Sequence, residues 1–307
     1  MLGAEQAGER ELRAGAPDGS YAGASCPWDG SQDEPDSPRV MSSAGPDTVI
    51  RALFVGDVVG PTAVEWLVSR LPALRAEHGI DLAIVDAENC AADAASMAVE
   101  GVQRLLDAGV DVITGGNHAF EGAEVEAVLS HERMLRPLNV ATSVPGRGAL
   151  TTRVRGQEIR VVVLADRAAL EVAPPFARMT IEPYAAFSAL PSGPTTIVEI
   201  HALSVMAKQS LAYALDGQVA AVLGTHTHEP TLPLHLLRGG TALVTEVGMT
   251  GPRDGPQGMH PQRVIDRVRD PAARAAPPVG PAEGEIILGA VLLEIERGLT
   301  RRITRLN

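Results

Sequence analysis

The strongest constraint on this chain is one short unit repeated three times. Residues 50–55 form a β-rich apolar run ending in Gly56-Asp57-Val58-Val59-Gly60, residues 82–85 a second ending in Asp86-Ala87-Glu88-Asn89, and residues 110–114 a third ending in Gly115-Gly116-Asn117-His118. After the first run, Val64, Leu67, Val68, Leu71 and Leu74 keep the spacing of one helix face, with a kink expected at Pro72. A second helix is expected over about 98–108, stopped by Gly109. Strand–helix units in succession imply a mainly parallel sheet covered by helices. Ligands of such sheets bind beyond the carboxyl ends of the strands, where Asp57, Glu88, Asn89, Asn117 and His118 fall.

The second half is richer in strands. Residues 150–154 and 159–165 read as a hairpin across Arg155-Gly156-Gln157, and a strand over 195–200 delivers His201. A helix around 205–215 then leads to an apolar strand, 219–223, that closes in Gly224-Thr225-His226-Thr227-His228. Side chains two apart on an extended segment share a face, so His226 and His228 can reach one small volume. A strand over 242–247 runs into Gly248-Met249-Thr250-Gly251-Pro252. Residues 253–284, rich in Pro and Arg, read as a long surface excursion, and 286–296 with 301–306 as a closing hairpin. One Asp or Asn after a strand is more often a helix cap, and one His-x-His is as often a pair of surface histidines. Metal-binding chemistry at the end of strand after strand is a different signal.

Composition narrows the class. At 307 residues and 45% hydrophobic the chain can bury a substantial core, no apolar run approaches a membrane span, and no secretory signal pattern is present, so a cytoplasmic setting is expected. Cys26 and Cys90 are the only cysteines, which gives neither a disulfide framework nor a thiolate-rich metal site. Cys90 reads as a buried, inert thiol and Trp66 as core. A net charge of −12 argues against general nucleic-acid binding. Half of that charge lies before the first strand, where nine acidic residues stand against three arginines among Gly, Ala, Ser and Pro. Residues 1–48 are therefore expected to be a disordered acidic extension, with Met41 a candidate translation start, and residues 49–307 the folded domain.

The ordered series Gly-Asp, Glu-Asn, Gly-Asn-His, His and Gly-Thr-His-Thr-His resembles the calcineurin-like metallophosphoesterases. Within them it is similar to the bacterial 2′,3′-cyclic-nucleotide 2′-phosphodiesterases, through Gly56-Asp57-Val58-Val59-Gly60, Glu88-Asn89 and Val247-Gly248-Met249-Thr250-Gly251-Pro252. The resemblance runs from about residue 51 to the C-terminus. It implies a four-layer α/β/β/α sandwich with two mixed β-sheets and a binuclear metal centre. By the same resemblance Asp57, Asn89 and His228 would hold one metal, Asn117, His201 and His226 the other, and Glu88 would bridge. Two cations roughly 3.5–4 Å apart activate water and stabilise both the attacking and the leaving oxygens of an in-line displacement. His118 would protonate the leaving oxygen, its alternative role being to orient a ligand. Donors of this kind suit iron or manganese and admit zinc.

Departures from the family pattern fall on loops. Ala202-Leu203-Ser204-Val205-Met206-Ala207-Lys208 stands where the family has Ala-Glu-Ala-Thr-Ser-Glu-Lys, keeping the lysine and losing both acids. Ala92-Asp93-Ala94-Ala95-Ser96 replaces a His-Gly-x-Gly turn, and Ala119-Phe120 replaces Thr-Trp. The partner expected is a small phosphodiester such as a 2′,3′-cyclic nucleotide, with self-association left open and neither a membrane nor general nucleic-acid binding expected. Two other readings remain: a monoesterase or different diesterase on the same metals, and a metal-binding scaffold with little turnover.

Overall fold

Residues 49–270, 272–273 and 277–306 are described by the computed structural model; the expected N-terminal extension lies outside the described residues. In chain order the first half contains β1 (Ile50–Val55), α1 (Gly60–His78), β2 (Leu82–Asp86), α2 (Val99–Asp107), β3 (Val112–Thr114), α3 (Val125–Leu129), β4 (Met134–Leu135), β5 (Ala149–Val154) and β6 (Gln157–Ala165). The second half contains α4 (Arg167–Glu171), α5 (Pro183–Ser188), β7 (Thr195–His201), α6 (Val205–Ala214), β8 (Ala221–Thr225), β9 (His235–Leu236), β10 (Ala242–Val244), β11 (Gly251–Pro252), α7 (Pro261–Arg269), β12 (Ile286–Ile287), β13 (Ala290–Glu296) and β14 (Leu299–Leu306).

Two six-stranded sheets result, ordered β14-β13-β1-β2-β3-β4 and β5-β6-β7-β8-β10-β9. In the first, β1 to β4 run parallel and the β13–β14 hairpin adds antiparallel strands beside β1. In the second, β6, β7, β8 and β10 are parallel, with β5 and β9 antiparallel at the edges. Both sheets are mixed, as the resemblance implied.

The two-residue period of the strands builds the layers. Ile50, Ala52, Phe54, Leu82, Ile84 and Val112 point one way and pack on Ile159, Val161, Val163, Ile197, Leu223 and Val244 of the second sheet. Their neighbours Leu53, Val55, Ala83, Val85 and Ile113 point the other way, onto Leu67, Leu71 and Leu74 of α1 and Leu105 of α2. On the far side, Val162, Leu164, Val198, Ile200 and Val222 meet Leu211 and Ala212 of α6. The order is therefore helices, sheet, sheet, helices. Among the described residues no helix is long and apolar enough to cross a membrane.

Several boundaries differ from expectation, each for a local reason. The helix α1 runs through the exposed Pro72 as one element and ends at Gly79, which takes the left-handed conformation (φ 61°) that favours glycine. The strand expected over 242–247 stops at Val244, after which Val247 donates to the Gly224 carbonyl (2.9 Å) and the chain turns toward the strand ends. Residues 286–287 pair with Gly251–Pro252 instead of lengthening the closing hairpin. The surface excursion contains α7, which has no buried residue. Trp66 is half-buried against the α1 side of the core.

Phe54 is among the largest side chains fully buried between the sheets. Phe54→Ala should cost about 3–5 kcal/mol in chemical denaturation, the range for deleting a buried aromatic ring. Leu232, 93% exposed, is the control: Leu232→Ala should stay within about 0.5 kcal/mol.

Candidate metal centre

Along each strand that reaches the site, the face between the sheets begins apolar and ends polar. Ile84 is followed two residues on by Asp86, Val112 by Thr114, Ile197 by Glu199 and then His201, and Leu223 by Thr225. All five polar residues are buried. The loops beyond the strands are tied to one another: Val58 donates to the Asp86 carbonyl (2.8 Å), Val59 to Thr250 (2.9 Å) and Gly60 to Asn89 (2.9 Å). These bonds carry Asp57 and Asn89 to the same end of the seam.

Six of the seven residues expected to bind metal are joined by short distances there. His201 Nε2 lies 3.2 Å from Glu88 Oε1 and 3.1 Å from Asn117 Oδ1. Glu88, His201 and His226 place ligand atoms within 4.8 Å of one another, as do Asp57, Asp86 and His201. The rings of His201 and His226 meet edge to face, centroids 4.6 Å apart. Asp57 Oδ1 accepts from the His226 amide (3.2 Å) and lies 3.6 Å from His228 Nε2. The seventh, Asn89, donates through Nδ2 to the Ala94 carbonyl (2.8 Å), and its buried Oδ1 has no hydrogen-bond partner among the described residues.

Hydrogen bonds outside the site fix which imidazole nitrogen faces inward. Thr225 Oγ1 donates to Glu199 Oε1 (2.9 Å), so it accepts from His201 Nδ1 (3.0 Å) and leaves Nε2 toward Glu88 and Asn117. The Gln257 carbonyl accepts from His228 Nδ1 (2.9 Å), which leaves that Nε2 toward Asp57. Metal-binding histidines are usually held this way.

Backbone shape does the rest. A Cβ on Gly116 would fall 2.1 Å from the His201 ring, so only glycine lets the ring lie on this turn while the Gly116 amide donates to Glu88 Oε2 (2.6 Å). His226 and His228 both hold positive φ (91° and 64°) without being glycine. Such conformations cost about 1–3 kcal/mol each and persist only where surrounding contacts enforce them.

The electrostatics ask for cations. Asp57, Asp86, Glu88 and Glu199 are four carboxylates buried at one place. Burial pushes the Asp57 carboxyl up to about 8, against the pull of His228 and with the help of Glu246 and Glu88. Burial also raises Asp86, reinforced by Glu199 and Asp57, and Glu199 is raised by burial as well. Burial works against ionised Glu88 too, but His201, His118 and His226 hold it below the usual carboxylate range. His201 shifts upward because the Glu88 charge overcomes burial, while His226 falls to about 3 from burial and from His201. Negative charge therefore concentrates where His201 Nε2, Asn117 Oδ1 and Glu88 Oε1 converge.

His118 stands beside Asn117 at the edge of a cleft of about 400 Å³ lined also by Asp93, Ala94, Glu121, Met259 and Arg267. Its Nδ1 is 3.1 Å from Glu121 Oε1. Burial opposes its charged form, but the Glu121 bond and the Glu88 charge prevail and raise it. Of the departing loops, residues 93–95 line the cleft; Leu203, Val205 and Met206, just after His201, are exposed and are not among its lining residues. Phe120 is buried edge-on against Phe176 at 6.4 Å. Cys90 is buried, and burial pushes its thiol up to about 11.

Asp86, Glu199, Thr225 and Glu246 contribute to the site without having been singled out from the sequence, and Lys208 was noted there only as the lysine kept from the family pattern. A signal was present for two of them. Glu199 is the only charge in Thr195–His201 and sits two residues before a site histidine; Asp86 sits two before Glu88. A period of two puts each on the face of the residue it precedes.

Two mixed sheets face to face, helices outside and metal-binding side chains at the converging strand ends define the calcineurin-like metallophosphoesterase class. The sequence profile of the YmdB-like proteins matches residues 53–306. The 2′,3′-cyclic-nucleotide 2′-phosphodiesterase of Bacillus subtilis (strain 168) is 31% identical over 251 residues, 80% of this chain and 92% of that protein. Among solved structures, a phosphatase from Mycoplasma pneumoniae superposes with a TM-score of 0.77 at 28% identity, covering 85% of this chain and 94% of the other. A protein from Thermus thermophilus does so with a TM-score of 0.75 at 32% identity, covering 84% and 98%. The chain belongs to the YmdB-like protein family, a branch of the calcineurin-like phosphoesterases.

The Thr225 hydroxyl offers a direct check on the support of His201. Thr225→Val keeps the shape but leaves Glu199 Oε1 buried without its donor, which should cost about 1–3 kcal/mol in chemical denaturation. Thr225→Ser, which keeps the hydroxyl, should lose less than half as much.

Proposed function

We propose that this chain is a two-metal phosphodiesterase acting on 2′,3′-cyclic nucleotides and, more loosely, on aryl phosphodiesters. Asp57, Asn89 and His228 would hold one cation and Asn117, His201 and His226 the other, with Glu88 shared between them. The observation that carries this reading is the convergence of Glu88 Oε1 and Asn117 Oδ1 on His201 Nε2, at 3.2 and 3.1 Å, which gathers three potential ligand atoms in one place. The buried, unpartnered Asn89 Oδ1 and the four buried carboxylates support it, since charge taken from water needs an opposite charge close by. Nitrogen and oxygen donors without thiolate favour iron or manganese and admit zinc.

Bound cations would supply Lewis acidity toward a phosphoryl oxygen and activation of water. The chain's own residues do the remainder. Glu88 sets the negative charge of the site, and the Gly116 amide fixes its carboxylate. Glu121 engages His118 Nδ1 and so leaves Nε2 to carry a proton to the departing 2′ oxygen. The B. subtilis relative's name gives the diester class; the altered loop at 93–95 lines the pocket beside His118 and bears on which diester fits.

Two variants separate metal binding from proton transfer. Glu88→Ala should lose most of its metal by elemental analysis. His118→Ala should keep its metal and lose roughly 10²–10⁴-fold in turnover. The substrate is tested with metal-loaded protein on 2′,3′-cyclic AMP, 3′,5′-cyclic AMP, a bis-aryl phosphate and an aryl monoester, with 2′,3′-cyclic AMP expected to be preferred and cut to the 3′-nucleotide. Preference for the monoester would overturn the diesterase reading and spare the metal centre. No turnover on any of the four would favour a scaffold role.

A further inference from the structure

The chain's only lysine, Lys208, is buried in α6 with its Nζ donating to Glu246 Oε2 at 2.7 Å; Glu246 is buried as well. A buried ammonium–carboxylate pair is seldom retained for stability alone, because removing both charges from water offsets most of their attraction. What distinguishes this pair is where it ends. The same Glu246 Oε2 accepts from the Thr227 amide (3.1 Å) and from the Thr227 hydroxyl, and Lys208 Nζ lies 3.4 Å from that hydroxyl. Thr227 is the residue between His226 and His228.

The path of the lysine is also built in. A Cβ on Gly224 would fall 2.8 Å from Lys208 Cδ and 2.0 Å from the Thr245 carbonyl oxygen. The glycine that opens Gly224-Thr225-His226-Thr227-His228 therefore leaves the slot through which the lysine stem reaches Glu246. Glu246 is anchored in turn, since its Oε1 accepts from the Gly248 amide (3.2 Å) and its backbone carbonyl accepts from Arg305 (3.4 Å). Positive φ at His226 and at His228 is a conformation the chain leaves unless it is held.

We infer that Lys208, Glu246 and Thr227 form a positioning clamp that presets the His226–His228 turn for metal binding before any metal arrives. The clamp touches neither metal nor substrate; it acts by holding both imidazoles on one side of the turn. This inference rests on the reading of His226 and His228 as metal ligands.

The test loads wild type, Lys208→Met, Glu246→Gln and Thr227→Ala with manganese, follows release to excess chelator, and records melting of each protein with and without metal. Thr227→Ala is the decisive variant, because it leaves the buried ion pair intact and removes only a link to the turn, and it serves even where Lys208→Met fails to fold. Lys208→Met and Glu246→Gln should weaken retention by roughly 10- to 100-fold, as loss of a group that orients a ligand does. Thr227→Ala should release metal several-fold faster, while its metal-free melting stays within about 2 °C of wild type, a shift that corresponds to little change in fold stability. Release at the wild-type rate from all three, or a melting loss equal in the metal-free and loaded forms, would overturn the clamp and leave the metal centre standing. Wild type that retains no manganese, iron or zinc would overturn both.

Discussion

Four carboxylates buried at the seam between two sheets are the constraint on which the rest of this structure depends. Asp57, Asp86, Glu88 and Glu199 lie on strand ends or just beyond them, enclosed by apolar layers that exclude water. A medium of this kind cannot hold that much negative charge without positive charge beside it. Lys208 supplies one positive group, engaged by Glu246. The imidazoles supply the rest only partly: His201 is drawn toward its charged form by Glu88, whereas His226 is driven well below its ordinary range. The site is thus short of positive charge as the protein alone presents it. Cations held, as proposed, by Asp57, Glu88, the two amides and the three histidines would resolve that imbalance.

The four-layer architecture makes such a site buildable. Parallel strands in both sheets present their carboxyl ends in the same region, and the inter-sheet face stays apolar along most of each strand before turning polar in its last residues. The apolar part supplies the stability that burying ionisable groups takes away. Precision comes from elsewhere: a glycine that lets the His201 ring rest on backbone, hydroxyl and carbonyl groups that select the imidazole nitrogen, and a strained turn holding two histidines. Each is a short-range device fixed to a strand that cannot move far.

Much of this was legible in the residues. Apolar runs ending in Asp57, Glu88-Asn89, Asn117, His201 and His226-x-His228 located the strand ends and the chemistry together, because in a parallel sheet these are one place. Less legible were groups whose role depends on a partner far away in sequence. Lys208 and Glu246 are 38 residues apart, and Thr225 acts on Glu199 from the adjacent strand; only strand pairing brings them into contact. Element ends also moved where tertiary contacts overrode local preference, as where the chain leaves β10 after Val244 to reach the Gly224 carbonyl, or where residues 286–287 pair with β11 instead of β13. Residue type announced the candidate ligands, and topology alone revealed what positions them.

These seven side chains are proposed to enclose two metal ions. Anomalous diffraction from crystals of the protein grown with manganese or iron tests it most directly. Two anomalous peaks per chain are expected, roughly 3.5–4 Å apart as in two-metal phosphoesterase sites, with Glu88 contacting both, Asp57, Asn89 and His228 around one, and Asn117, His201 and His226 around the other. A single peak, or peaks lying away from Glu88, would contradict it.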